Sequence, residues 1–414
     1  MPKKTESTLL PDERRAAVRC VRIKNFRSIG KCEVELASLT MLIGRNAAGK
    51  SNFLDAMRFL VDSLRTSLDH AIKSRGGLDS VRRRSTGHPR NFAIELDLFL
   101  PGHRTCVYGF EIASRSPGGF VVKRERLAIR THSGQREAFY ETEAGEIRDA
   151  FRSAMPPVAA DRLYLVTAAS LPEVRPAYDA LLAMGFYNLN PDKMKELQSP
   201  DAGELLHRDG DNLPSVIARL RLDRPEQYAR IQEFLRVIVP GIDEVDRVPL
   251  GPRETVEFRQ TIRGSTSPWR FYAANMSDGT LRALGALVAV TQLANHATPV
   301  TLIGIEEPET ALHPAAAGAL VDALREAATY TQVVATSHSP DLLDQLDLES
   351  EALQVVVSRA GTTEIAPPDP ASLATVRSHL FTPGELLRQD QLEPNLDHLE
   401  RIRQLRLFGS DEDE

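Results

Sequence analysis

The sequence predicts an α/β fold, and three stretches carry that expectation. Leu39 to Ile43 is a continuous apolar run that leads straight into Gly44-Arg45-Asn46-Ala47-Ala48-Gly49-Lys50-Ser51, an unbroken G-x-x-x-x-G-K-[ST] loop. Val300 to Ile305 is a second apolar run, and it ends in Glu306-Glu307-Pro308-Glu309. Gln332 to Thr336 is a third, followed at once by Ser337-His338.

Taken in chain order, residues 18 to 43 read as two strands, the first carried by the alternation of Cys32, Val34 and Leu36. After Lys50, Phe53, Leu54, Met57, Leu60, Val61 and Leu64 recur on one helical face. Phe92 to Leu100, Cys106 to Ile112, Phe120 to Ile129 and Ala138 to Glu141 read as strands parted by turns such as Pro101-Gly102 and Pro117-Gly118-Gly119. They predict an antiparallel sheet attached to the core. Residues 145 to 238 are mostly helical in pattern, most clearly at Leu213 to Leu222 and Pro225 to Val239. Strands return at Asp246–Pro249, Thr255–Ile262 and Trp269–Tyr272. A helix opens at Ser277, and Leu281, Leu284, Leu287, Val288 and Ala294 make it apolar almost all round, hence buried. Pro314 suits the first turn of another helix. This reading divides the chain into a disordered tail (1–16), a first lobe with the glycine loop and β subdomain (17–144), a helical insert (145–264), a core with the acidic strand and histidine (265–375), and a helical segment with an acidic tail (376–414).

Bulk numbers narrow the class. The chain has 414 residues, 42% apolar and 26% charged, which is ordinary for a globular protein. A net charge of −6 argues against a surface built as a whole for nucleic acid. Cys20, Cys32 and Cys106 form no C-x-x-C pair and read as small buried hydrophobes in a reducing cytosol. No apolar run approaches the roughly 18 residues of a membrane span, and Met1 to Arg15 lacks the apolar stretch of a signal peptide. A cytoplasmic location is expected.

The glycine loop carries the chemistry. Successive backbone N–H groups and a helix N-terminus favour phosphate. Lys50 would reach the β/γ-phosphates and Ser51 would ligate Mg²⁺. Two carboxylates at a strand end can divide the remaining work, Glu306 on the metal side and Glu307 on the attacking water. Each piece has a plainer reading alone: Glu-Glu-Pro as a solvated turn, Ser277 as a simple helix cap, His338 as a structural histidine. The order of the pieces along one chain raises all of them together. Arg82-Arg83-Arg84, with Lys73, Arg75 and Arg90 nearby, is the main basic cluster, read as a solvated loop ahead of a nucleic-acid patch.

With these residues in place the chain resembles the ABC-type ATPase heads of the RecF, SMC and OLD-type families, and more closely the stand-alone bacterial AAA-family ATPases. The resembling stretches are Lys24-Asn25-Phe26-Arg27-Ser28, Gly44 to Asn52, Met276 to Arg282, Glu306 to Pro314 and Thr336 to Pro340. The resemblance implies a P-loop head with an attached antiparallel β subdomain and a helical lobe, and a Mg²⁺-dependent ATPase that dimerises through ATP. Lys50, Glu307 and His338 would be the catalytic residues, His338 as the switch histidine. Gly44, Arg45, Asn46, Ala47, Ala48, Gly49, Lys50, Ser51 and Asn52 would bind nucleotide in one subunit. Ser277 and Gly279, the signature motif, would reach the γ-phosphate held by the other. Glu309 to His313 would form the D-loop at that interface. Phe26 and Arg27 lie where such heads contact adenine or phosphate, and Ser51 and Glu306 would hold the metal. Asp278 replaces the first of the usual two signature glycines, and Glu306 replaces the usual Asp of the acidic pair. Gln198 is the provisional Q-loop glutamine. OLD-type relatives carry a Toprim nuclease after the head; the residues beyond His338 hold no Glu…Asp-x-Asp set, so any nuclease is expected as a separate effector protein. Anti-phage defence is the family-level expectation. A RecF-like repair ATPase acting on DNA, and a transporter's ATP-binding subunit, are the alternatives, the latter opposed by the long insert between Gly44 and Ser277.

Overall fold

The computed structural model describes residues 15–84, 89–115, 119–262, 264, 267–292, 300–348, 351–404 and 407. Most of the expected N-terminal and acidic C-terminal tails, the turn at Pro117-Gly118 and Ala294 lie outside them. Strands β1 (Ala17–Phe26), β2 (Ile29–Glu35) and β3 (Leu39–Ile43) lead to helix α1 (Lys50–Arg65) and two short helices, α2 (Leu68–Lys73) and α3 (Leu78–Val81). A meander follows: β4 (Asn91–Leu100), β5 (Arg104–Arg115), β6 (Gly119–Arg130), β7 (Arg136–Glu143) and β8 (Glu146–Ala150). Then come α4 (Leu165–Ala168), α5 (Arg175–Leu182), β9 (Met184–Tyr187), α6 (Pro191–Lys195), α7 (Leu213–Asp223) and α8 (Pro225–Ile238). Strands β10 (Ile242–Leu250), β11 (Arg253–Gln260) and β12 (Trp269–Tyr272) precede α9 (Asp278–Thr291). The chain continues through β13 (Leu302–Glu306), α10 (Ala317–Ala328), β14 (Gln332–Ser337), α11 (Pro340–Leu343), the hairpin β15 (Ala352–Arg359) and β16 (Thr362–Ala366), then α12 (Pro370–Arg377), α13 (Pro383–Arg388) and α14 (Leu396–Gln404).

The residues before the glycine loop therefore form three strands, where the alternation predicted two. The stretch read as mostly helical also contains β8 and the core strand β9. Strands β10 to β12 make a small separate sheet.

One 13-stranded sheet runs β8-β7-β6-β5-β4-β1-β2-β16-β15-β3-β14-β13-β9. The meander from β4 to β8 is antiparallel, as the turn spacing predicted. Strands β9, β13, β14, β3 and β15 are parallel neighbours. Their side chains divide by the two-residue period of a strand. Leu42, Val334 and Leu302 face a core that contains α1 and the meander, whereas Met41, Ile43, Val333, Ala335, Ile303 and Ile305 face a core containing α8, α9 and α10. Helices α1 and α9 thus pack on opposite faces of the sheet.

Register positions the site. Ser337 of β14 pairs with Ile43 of β3, and Thr336 pairs with Glu306 of β13. Three parallel neighbours consequently end in one row, where ligands bind in open α/β sheets. The residues that follow them are Gly44, Glu307 and His338.

Candidate nucleotide site

The glycine loop turns out of β3 with Arg45, Asn46 and Ala47 exposed and Ala48 buried. Ala47 (φ 63°) and Gly49 (φ 105°) take left-handed conformations. Gly49 is the N-cap of α1 and offers no side-chain cap, so the N–H groups of Lys50 and Ser51 are open to an anion, while that of Asn52 donates to the Gly49 carbonyl at 3.0 Å. Lys50 is 4% exposed, and its Nζ donates to the carbonyls of Gly44 at 2.9 Å and Arg45 at 3.1 Å. Burial pushes its ammonium below the ordinary lysine range, and Glu307 pulls it back. Ser51 stands exposed on the first turn; Asn52 turns its amide to the Ser28 hydroxyl at 2.6 Å.

Glu307 has a φ of 42°, unusual for a side-chain-bearing residue. Its N–H is held by the carbonyl of Thr336 at 3.0 Å and by the Thr336 hydroxyl at 3.1 Å. Its carboxylate lies 3.6 Å from Lys50 Nζ and 3.4 Å from His338 Nδ1. Residues far apart in sequence, chosen for these roles by motif, therefore meet at one point. His338 Nδ1 is buried without a hydrogen-bond partner, and so is Glu309 Oε2. Both atoms therefore keep unused hydrogen-bonding capacity at the site. Among the described residues no cluster of three His, Cys, Asp or Glu could hold a metal alone.

Glu309, the first residue of the expected D-loop, is held within the chain. It is 8% exposed and accepts from the Ser337 hydroxyl and from the N–H of His338 at 3.3 Å. Burial raises its carboxyl above the ordinary range, against these hydrogen bonds. Glu309 thus ties the acidic loop to the histidine strand, and within Glu309–His313 the exposed positions are Ala311 and His313.

Ser277 caps α9, accepting from Thr280 N–H at 3.2 Å. Ser277 is exposed and Gly279 buried. A Cβ on Gly279 would lie 2.1 Å from the carbonyl of Ala311, so the glycine is required where α9 meets the acidic loop. Asp278 pairs with Lys195 of α6 at 2.5 Å.

Two further expectations, for Phe26 and Gln198, are corrected. Phe26 is fully buried, with rings of Phe59 and Phe92 each at 5.8 Å, so it cannot meet a base. Arg27 is on the surface side of the same turn and pairs with Asp55 at 2.9 Å. Gln198 is 4% exposed and pairs with the backbone of Glu254, its amide donating to Lys193 and Gly210 carbonyls. No contact links it to the glycine loop. The basic cluster is largely engaged internally: Arg75 is buried on Asp55 and Asp62, Arg82 pairs with Asp79, Arg83 donates to Thr362, and Lys73 pairs with Asp69.

Sequence reasoning missed Arg208. Its guanidinium lies 3.3 Å from Glu306 Oε1, on the carboxylate expected to face the metal. Backbone bonds from Asn188 to Arg208 and from Asn190 to Asp209 place its loop beside β9. An arginine in a polar loop carries no periodic or spacing signal.

Comparison with known proteins adds the family. The family model described as "AAA domain, putative AbiEii toxin, Type IV TA system" matches residues 39–344. No curated protein matches the chain. Among solved structures, an Smc head bound to the C-winged helix domain of ScpA is 13% identical, with a TM-score of 0.52 over 84% of this chain and 97% of that one. An Smc head from Pyrococcus furiosus with an extended coiled coil, bound to the C-terminal domain of ScpA, is 11% identical (TM-score 0.50, 88% and 99% covered). One from Pyrococcus yayanosii, with a coiled coil and joint, is 10% identical (TM-score 0.50, 88% and 99%). The glycine loop, the row of strand ends and the sheet order thus occur on an SMC-like P-loop head, and the chain belongs to the AAA-domain family of AbiEii and Type IV toxin–antitoxin type ATPases.

Proposed function

We propose that the protein is a Mg²⁺-dependent ATPase in which two copies close over two ATP molecules, and that hydrolysis gates a separate effector protein. The observation that carries this reading is that Glu307, just past β13, has its carboxylate within 3.6 Å of both Lys50 at the start of α1 and His338 just past β14. Lys50 would exchange the Gly44 and Arg45 carbonyls for phosphate oxygens. Ser51 and Glu306 would hold Mg²⁺, which, when bound, neutralises phosphate charge. Glu307 would orient the attacking water and accept its proton, and His338 would hold the far side of the terminal phosphate. Ser277 would complete the site of the second copy.

The family's toxin–antitoxin description supports a defence role. Smc heads bound to domains of ScpA support a partner protein on a head of this fold. Among the described residues no helix is long and apolar enough to cross a membrane. The internal pairing of the basic cluster gives the DNA-repair alternative no observation of its own.

Purified protein tests the reading. Lys50→Ala should weaken ATP binding. Glu307→Gln should bind ATP and turn it over about 10²- to 10⁴-fold more slowly, because an amide can hold water but cannot take its proton. Turnover by Glu307→Gln near the wild-type rate removes Glu307 from that role.

A further inference from the structure

The hairpin β15–β16 lies beyond the stretch matched by the family model, yet it supports both glycines of the phosphate loop. A Cβ on Gly44 would lie 2.1 Å from the carbonyl of Val356, and one on Gly49 would lie 2.0 Å from the hydroxyl of Thr363. Two positions fixed as glycine by the motif are therefore also fixed by packing against this hairpin. Thr363 itself is completely buried.

Its hydroxyl makes a directed chain. Thr363 Oγ1 donates to the carbonyl of Ala48 at 2.8 Å. A hydroxyl has one proton, so Thr363 must accept from Ser28 Oγ, 2.7 Å away. Ser28 in turn accepts from Asn52 Nδ2 at 2.6 Å. The sequence is Asn52 N–H to Ser28 O–H to Thr363 O–H to Ala48 C=O. Each bond polarises the next. Asn52 belongs to the first turn of α1, so the chain starts and ends on the phosphate loop and its helix and passes through β16 between them.

We infer that Thr363 is a positioning residue for nucleotide binding: it fixes the Ala48–Gly49 peptide plane so that the Gly49 N–H faces the phosphate. In a trans peptide the C=O and N–H point in opposite directions. Anchoring the Ala48 carbonyl against the hairpin aims the Gly49 N–H the other way, into the loop. Gly49, at φ 105°, has no Cβ to restrict its backbone, so without the anchor this peptide could rotate. The inference rests on the ATPase reading above and goes beyond it by assigning loop geometry to a residue more than 300 positions away.

The test uses the full chain and a fluorescent ATP analogue, with melting temperature measured in the absence of nucleotide. Thr363→Val keeps the shape and removes the hydroxyl. It should weaken analogue binding about tenfold, the scale of one lost hydrogen bond, with Thr363→Ser within about threefold of wild type. Ser28→Ala, which leaves Thr363 in place but unpolarised, should weaken binding severalfold and carries the test should Thr363→Val fail to fold. Binding within twofold of wild type in Ser28→Ala and in any folded Thr363→Val overturns the inference. So does an equal loss in Thr363→Ser, since the hydroxyl would then not be the acting group. The ATPase reading is separated by Lys50→Ala: if wild type and Lys50→Ala bind the analogue equally poorly, that reading fails first.

Discussion

At the residue scale, chemistry-bearing side chains were legible where a motif fixed their spacing. Glu307 and His338 each follow an apolar strand, Lys50 follows the glycine loop that leaves a third, and parallel pairing sends these strand ends to one edge. Arg208 was not legible, because one cation in a polar loop has no pattern. Its contact predicts a distinct phenotype. An ion pair this exposed contributes at most about 1 kcal/mol, so Arg208→Ala should leave the melting temperature within about 2 °C. On the proposed assignment of Glu306 to the metal, Arg208 would compete with Mg²⁺ for that carboxylate, so the variant should reach half-maximal turnover at lower Mg²⁺. An unchanged or higher Mg²⁺ requirement would show that the pair has no bearing on the metal side. Glu125 gives a second prediction. It is completely buried on β6 and accepts from Tyr108 at 3.1 Å, Tyr140 at 2.9 Å and the N–H of Leu165 at 2.8 Å. Burial nonetheless pushes its carboxyl up from 4.5 to about 7. Between those values the folded state keeps a proton that the unfolded chain releases. Stability from this group is therefore full below pH 4.5 and declines as pH rises to about 7. Thermal melts at pH 5 and pH 7.5 should show a smaller difference in Glu125→Gln than in wild type; an identical difference refutes the assignment.

At the element scale, the missed strands have physical causes. The alternation of β1 is broken by a register shift between Val18 and Cys20, which hid it beside β2. Strand β9 has four residues and starts two positions after α5 ends, so the helical pattern runs into it. Strand β8 is exposed along nearly all its length and carries no apolar signal. By contrast α9 was plain, because an all-round apolar helix has few other places to sit. Its first turn predicts a sharp substitution effect. Gly279→Ala places a Cβ 2.1 Å from the Ala311 carbonyl, a backbone atom that can move only with the acidic loop. Overpacking of this kind costs about 1–3 kcal/mol. The variant should melt several degrees lower and lose most ATP turnover, while Ser277→Ala, which removes only a cap, should lose less stability. Full turnover in Gly279→Ala would mean that the junction of α9 with the acidic loop is not needed for hydrolysis.

At the scale of the whole molecule, the sheet separates the two halves of the proposed chemistry. Helix α1 packs in one core and α9 in the other, so Lys50 and Ser277 start helices on opposite faces. Such a division suits the proposed site assembled from two copies. Mixing two inactive variants tests it most directly. Lys50→Ala spoils the phosphate loop, and Ser277→Arg places a bulky side chain at the start of α9, where the proposed two-copy site would bring the partner's phosphate. A mixed dimer would retain one site built from an intact Lys50 and an intact Ser277. ATP turnover measured against mixing ratio, with dimer mass followed by light scattering, should rise to a maximum between the two inactive ends. Mixed dimers that form but turn over ATP no faster than either variant alone would contradict the shared site.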